Sequence, residues 1–278
     1  MVQSPLSSDE EKPQPGLEIA SAFVAARQKA QALSHYPGIP PNDLATAYRV
    51  QDRAIELWPD QIAGWKVGMI QGEAAQRHGA NRLAGPVFSS AIQQAKAGQQ
   101  MQFSIIDGGF GAVEAEVMFL LGMDAPADKL NWTAAEACEL VSAVHAGIEI
   151  AGSPFAGIND FGPCVIVTDF GNNAGLIVGK PLPDWRQQLT NGWVCETRID
   201  GRLVGRGDVT GLQGGAVESL RFLLELNAAR GYPLRKGQYV SSGAITGVHL
   251  ILPGQAASIV FDSTDSIDCL AVAAHAMQ

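Results

Sequence analysis

Cysteine is scarce in this chain: four residues in 278, Cys138, Cys164, Cys195 and Cys269, scattered and never in a C-x-x-C pair. That argues against a disulfide framework or a cysteine-built zinc site and leaves buried, reduced thiols in a cytoplasmic protein as the expectation. Positive charge is scarce too. Nineteen Lys and Arg stand against 28 Asp and Glu, a formal net charge of −9. Nucleic acid is therefore not an expected partner, because phosphate binding needs clustered cations. No apolar run approaches the roughly eighteen residues of a membrane span, so none is expected. The zincin H-E-x-x-H and the G-x-S-x-G nucleophile elbow are missing. Gly108-Gly109-Phe110-Gly111 is not followed by a P-loop lysine, and Gly205-Arg206-Gly207 lacks the spacing of a dinucleotide loop.

What is present is an ordinary globular composition, 46% hydrophobic and 17% charged. Residues 1–15, MVQSPLSSDEEKPQP, carry acids and prolines without an apolar stretch, and read as a disordered polar tail rather than a secretory signal. Residues 16–63 read as a helical cap. One helix is expected over Leu17–Leu33 and a second from an Asn42 N-cap to Pro59. From residue 64 to 278 the pattern turns β-rich and reads as one structural unit. Strands are expected at Gly64–Met69, Ala112–Leu121, Gly147–Ala151, Pro163–Thr168, Gly175–Val178, Val194–Ile199, Arg202–Arg206, Tyr239–Ser242, Val248–Leu252 and Ala257–Phe261. Asp200-Gly201 marks a tight hairpin. Two helices interrupt the strands. One is expected from about Ala134 to Ala146 behind a Thr133/Glu136 capping box, the other from about Ala216 to Arg230, closed by Gly231. Strands and helices do not alternate regularly, which disfavours a Rossmann sheet or a (β/α) barrel.

The chemistry-bearing stretch is Val113-Glu114-Ala115-Glu116-Val117-Met118-Phe119-Leu120. Alternation along a strand puts Glu114 and Glu116 on one face and Val113, Ala115 and Val117 on the other. Two readings stay open: a solvent-facing edge where both acids meet water, or an enclosed face whose carboxylates need a cation. Glu149, flanked by Ile148 and Ile150, is another acid in an apolar frame. His145 reads as the last turn of the preceding helix rather than a ligand. Three carboxylates without Cys or His suit a hard ion, Mg²⁺ or Mn²⁺. Lys66, in Gly64-Trp65-Lys66-Val67-Gly68, is either a snorkelling surface lysine or a cation for a substrate carboxylate or a proton. Residues 241–247 form a small-residue loop that can offer backbone N–H groups to an anion.

In this order the segments LATAYRVQ, GWKVG, VEAEVMFLLG, the downstream IEI, NNAGLIVG and AVESLRFLLELNAARGYPLRKGQYVSSGAITG resemble the 2-keto-4-pentenoate hydratase / 4-oxalocrotonate decarboxylase branch of the fumarylacetoacetase superfamily. The resemblance runs from about Leu44 to the C-terminus. It implies an α+β fold, a mixed β-roll of the fumarylacetoacetase type, and a homo-oligomer. It implies metal ligands at Glu114, Glu116 and Glu149, a catalytic Lys66, and substrate contacts at Ser242, Gly243 and Thr246. The implied activity is hydration of a small 2-oxo or 2-hydroxydienoic acid through an enolate, with decarboxylation, acylpyruvate C–C hydrolysis or mere binding of 2-oxo acids as alternatives. Three departures stand out. The stretch Asn81–Pro86 lacks the family's acid near Ala84, the D-N-A-S-S-like stretch reads Asp169-Phe170-Gly171-Asn172-Asn173, and Gly211-Leu212-Gln213 replaces a Gly-His/Asn-Pro element.

Overall fold

A computed structural model describes residues 16–262 and 266–277; the tail expected over residues 1–15 lies outside the described residues. The helices are α1 (Leu17–Gln28), α2 (Leu44–Leu57), α3 (Gly72–His78), α4 (Ala134–Glu139), α5 (Pro163–Thr168), α6 (Trp185–Asn191) and α7 (Ala216–Ala229). The strands are β1 (Ile62–Met69), β2 (Arg82–Phe88), β3 (Ile92–Gln94), β4 (Met101–Ile105), β5 (Phe110–Leu121), β6 (Val141–Ser153) and β7 (Asn173–Pro181). They continue with β8 (Val194–Ile199), β9 (Arg202–Asp208), β10 (Tyr239–Ser241), β11 (His249–Leu250), β12 (Ala256–Phe261) and β13 (Ile267–Ala273).

Two mixed sheets form the framework. The larger runs β2-β1-β10-β5-β6-β7-β3, with β11 also paired to β5; the smaller runs β4-β13-β12-β8-β9. Most neighbours are antiparallel, while β1–β10, β3–β7 and β4–β13 are parallel. The main core lies between the sheets and α7. Val113, Ala115, Val117 and Phe119 of β5 meet Ile148 and Ile150 of β6, Ile259 and Phe261 of β12, and Leu220 and Leu223 of α7. A second cluster joins α1 and α2 to Phe155, Ile158, Val165 and Phe170. The class is α+β, as expected. Among the described residues no helix is long and apolar enough to cross a membrane.

Several expected elements differ. The Thr133/Glu136 capping box forms, with Thr133 Oγ1 accepting from the Glu136 N–H at 3.2 Å. The helix it opens stops at Glu139, however, and Val141–Ser153 is a strand. Val141, Val144, Ile148 and Ile150 are buried in the main core as part of the sheet, and this tertiary packing overrides local propensity. Gly147 is consequently mid-strand rather than a helix stop, and His145 is not a helical residue. Pro163–Thr168, expected as a strand from its β-branched residues, is the short helix α5, with Pro163 in its first turn. The first helix ends at Gln28, short of Leu33, and Asp43 rather than Asn42 caps the second, its Oδ1 accepting from Thr46 N–H at 2.7 Å. Strand β2 was not expected, nor were β3, β4, β13, α3 and α6.

Candidate functional site

The register of β5 against β6 builds the site. Glu114 stands directly opposite Glu149, and Glu116 opposite Gly147. The same alternation that sends Val113, Ala115, Ile148 and Ile150 into the core turns all three glutamates to the other face. One carboxylate oxygen from each lies within 4.8 Å of the others. Glu114 is 6% exposed, and Glu116 and Glu149 are fully buried, so the solvent-facing edge reading fails. Gly147 is needed there: a Cβ at that position would lie 2.6 Å from Met118 Cγ, the side chain that closes the face below Glu116.

Few partners offset this buried charge. Lys66 Nζ lies 3.3 Å from Glu149 Oε1, and Asn173 Nδ2 donates to the same oxygen at 3.0 Å. The Gly243 N–H donates to Glu116 Oε2 at 2.9 Å. Glu116 Oε1 and Glu149 Oε2 are buried with no hydrogen-bond partner. Lys66 is 5% exposed, which removes the snorkelling reading. Burial pushes the Glu114 carboxyl up to about 8, and the Glu149 charge adds to this against the pull of Lys66. Burial, then the charges of Glu149 and Glu114, push Glu116 well above the ordinary carboxylate range. Burial by itself would depress the Lys66 ammonium, but the three carboxylates outweigh it and hold Lys66 above an ordinary lysine. Orphaned carboxylate oxygens in a buried, all-oxygen donor set have the chemistry of a hard divalent-cation site, and the residues fit such an ion. His145 lies on the same face of β6, four residues before Glu149, but its Nδ1 is 2.9 Å from the Gly179 carbonyl and it does not join the cluster.

The strand beside Lys66 explains the missing acid. Lys66 pairs across β1–β2 with Gly85 and Gly68 with Leu83, whereas Ala84 pairs with Val67 and both turn into the core. The side chain next to Lys66 would therefore come from position 85, and there the Phe170 carbonyl occupies the place of a Cβ. The intruding turn has three successive residues of positive φ, Phe170 (52°), Gly171 (66°) and Asn172 (62°). Left-handed backbone in a bulky aromatic residue is strained. Packing holds it: the Phe170 ring lies 4.9 Å from Phe88 and 5.6 Å from Trp58, with Arg27 over its face. Arg27 also donates to Asp169 Oδ1 at 2.6 Å. This turn delivers Asn172 to the cavity and Asn173 to Glu149.

Lys66 and Glu114 open into a cavity of about 360 Å³, whose other walls include Leu83, Ile166, Asn159, Asn172, Ala244 and Val248. Of the residues expected from the 241–247 loop, Gly243 touches the cluster through its N–H. Ser242 is buried, its Oγ accepting from the Val117 N–H at 3.2 Å. Thr246 Oγ1 lies 2.8 Å from Thr197 Oγ1. Their neighbours Ala244, Gly247 and Val248 form the cavity wall. Asn159, Asn172 and Asn173 escaped the sequence reading as site residues. The last two stand in the departing D-N-A-S-S-like stretch, and that departure was the available signal.

No protein-family model matches the chain, and no curated protein matches it. Solved structures do. The chain is similar to 4-oxalocrotonate decarboxylase from Pseudomonas putida G7, complexed with magnesium and adipate, at TM-score 0.75 and 17% identity over 92% of this chain and 97% of that one. It is similar to fumarylpyruvate hydrolase from Pseudomonas aeruginosa, in complex with Mn²⁺ and pyruvate, at TM-score 0.57 and 16% identity over 78% and 91%. A fumarylacetoacetate hydrolase from Exiguobacterium antarcticum aligns at TM-score 0.54 and 13% identity over 78% and 77%. The chain shares the fold of these structures, as the resemblance implied.

Proposed function

We propose that this chain is a divalent-metal-dependent enzyme acting on a small 2-oxo acid, and that its reaction is hydration of a 2-hydroxydienoic acid such as 2-hydroxypenta-2,4-dienoate. The observation that carries the reading is the cluster of three buried glutamates with two orphaned oxygens, beside a buried lysine and open to a cavity. Glu114, Glu116 and Glu149 would hold the ion, Mg²⁺ or Mn²⁺. When bound, such an ion supplies Lewis acidity towards the oxygens of a 2-oxo acid. The protein groups do the rest. Asn173 and the Gly243 N–H fix the orientation of Glu149 and Glu116. Lys66 holds a proton at Nζ, where it can anchor the substrate carboxylate or exchange that proton with C3 of the substrate. Ala244, Gly247 and Val248 form part of the substrate wall, and Ser242, Gly243 and Thr246 hold the loop that carries them. The structures that share the fold support the head-group chemistry, since one holds magnesium and a carboxylic acid and another Mn²⁺ and pyruvate. A cytoplasmic homo-oligomer accompanies this reading.

A second reading, decarboxylation, is favoured by one observation: position 85, beside Lys66, has no room for an acid to assist the addition of water. One NMR experiment tests both. With Mg²⁺, the protein should exchange the C3 protons of pyruvate for deuterium from D₂O and should hydrate 2-hydroxypenta-2,4-dienoate. Lys66→Met should retain metal-dependent melting yet lower kcat/KM more than about a hundredfold, roughly 3 kcal/mol of transition-state stabilisation. Exchange without hydration moves the reading to decarboxylation. Neither reaction in metal-loaded protein leaves only a binding homologue.

A further inference from the structure

We infer that Arg82 is a positioning residue for Glu116, acting through Ser219 and the Ser242–Gly243 peptide. A chain of hydrogen bonds from this buried guanidinium engages one oxygen of the carboxylate and leaves the other for an ion. The inference rests on the metal-site reading above. It adds two residues that belong neither to the glutamate cluster nor to the cavity wall.

Arg82 stands on the edge strand β2, yet it is only 1% exposed. A guanidinium taken out of water needs partners for its charge. Its donors go to neutral acceptors: Nη1 to Asn81 Oδ1 at 3.2 Å, Nη2 to the Gln213 carbonyl, and Nε to Ser219 Oγ at 3.2 Å. Glu218, whose charge also acts on Arg82, is taken up by Arg221 at 2.6 Å. Two of the stretches that depart from the family pattern, Asn81–Pro86 and Gly211-Leu212-Gln213, thus meet at this one side chain.

From that charge the donors run one way to the acidic face. Ser219, on α7, is fully buried; its hydroxyl accepts from Arg82 and donates to the Ser242 carbonyl at 2.7 Å. The other end of the same peptide group is the Gly243 N–H, which donates to Glu116 Oε2 at 2.9 Å. Cation, hydroxyl, peptide and carboxylate are aligned head to tail, and in a buried setting each such bond polarises the next. The peptide is clamped to β5 as well. The Ser242 N–H donates to the Val117 carbonyl at 3.1 Å, and Ser242 Oγ accepts from the Val117 N–H at 3.2 Å. Gly243 completes the turn at a φ of 101°, which glycine alone adopts without strain. Glu116 Oε2 is thereby engaged, and Oε1 is left buried without a partner. Outer hydrogen-bond partners of this kind orient metal ligands, and losing one lowers metal affinity about 10- to 100-fold.

The test is the affinity of metal-free, full-length protein for Mg²⁺, measured by calorimetry and by the Mg²⁺-induced rise in Tm. Ser219→Ala cuts the chain at its middle and should weaken Mg²⁺ binding about tenfold, at the lower end of that range. Ser219→Thr keeps the hydroxyl and should stay within about twofold of the unaltered protein. Arg82→Met should also weaken binding, and the double variant should bind no more weakly than Ser219→Ala alone, because Arg82 acts through that hydroxyl. Ser219→Ala, the milder change, decides the matter if Arg82→Met does not fold. Leu223→Val loosens the same helix within the main core and should lower Tm without changing Mg²⁺ affinity. Unchanged affinity in Ser219→Ala, losses that multiply in the double variant, or an equal loss in Leu223→Val overturns the inference and leaves the metal-site reading standing. No binding of Mg²⁺ by the unaltered protein overturns that reading, and the inference with it.

Discussion

Strands β5 and β6 present two faces made by alternate residues of the same segments. On one, Val113, Ala115, Val117 and Phe119 interlock with Ile148 and Ile150, all at 2% exposure or less. On the other stand Glu114, Glu116 and Glu149, just as buried but short of partners. Backbone pairing is shared, so the difference lies in the side chains alone. The apolar face gains free energy from leaving water. The acidic face loses it, and an ion returns part of that loss only when bound. A site of this kind can exist because the opposite face of the same two strands is well packed.

The comparison breaks most severely from the packed side. Phe119→Ala removes a fully buried ring from the main core, and such truncations cost about 3–5 kcal/mol. Urea denaturation should show that loss equally with and without Mg²⁺, because Phe119 points away from the glutamates. A loss confined to metal-loaded protein would mean that the faces are not independent. The acidic face should respond the opposite way. Glu116→Gln keeps the shape and an acceptor for the Gly243 N–H but removes a buried acid. Metal-free Glu116→Gln should melt no lower than the unaltered protein near pH 8. It should lose the Mg²⁺-dependent gain, which for a folded-state ligand at a hundred times its Kd is about 2.7 kcal/mol. An unchanged Mg²⁺ response would remove Glu116 from the ligand set.

How legible these faces were depended on how local their cause is. Glu114 and Glu116 were readable because a strand's alternation is local and the run Val113–Leu120 is β-rich on both sides. Glu149 was found as an acid in an apolar frame, but its strand was half hidden. Ala134–Glu139 begins with a true capping box and flows without a break into Val141, and only pairing with β5 and β7 decides where helix gives way to strand. Strand β2 was missed because Gly85 and Pro86 interrupt its β pattern. It lies at the edge of its sheet, where a proline's missing N–H is tolerated, and Gly85 is required by the Phe170 carbonyl pressed against it. Within the stretch near Ala84 that lacks an acid, strand register makes Gly85 the residue beside Lys66. Asn172 and Asn173 carry no pattern of their own. Their placement comes from a turn strained by long-range packing, which sequence spacing does not express.

The smallest effect, and the sharpest on the acidic face, is its dependence on pH. Glu114 titrates at about 8 in the folded protein, against roughly 4.3 for an unperturbed glutamate, and Glu116 is displaced the same way. A raised acid means that the folded state binds more protons than the unfolded one between those values. Stability therefore falls as pH rises through that window and levels off once the folded group has ionised. Most other groups act elsewhere, although the buried thiols Cys195 and Cys269, pushed up to about 12 by burial, add a fall of the same sign from the ordinary thiol range upward. Asp60 and Glu136, held at about 2, lose their contribution only in acid. His249, held below its ordinary value, works in the opposite direction but only at and below the ordinary histidine range. From about pH 6.5 to 8.5, metal-free protein should lose melting temperature steadily, and Glu114→Gln should lose less. An ion must displace the protons on Glu114 and Glu116, so the Mg²⁺-induced rise in Tm should grow over the same range, with proton release visible by calorimetry in buffers of different ionisation enthalpy. If metal-free Tm instead climbs with pH and the Mg²⁺ increment stays flat, the acidic face is already ionised and compensated in the resting protein, and its contrast with the packed face disappears.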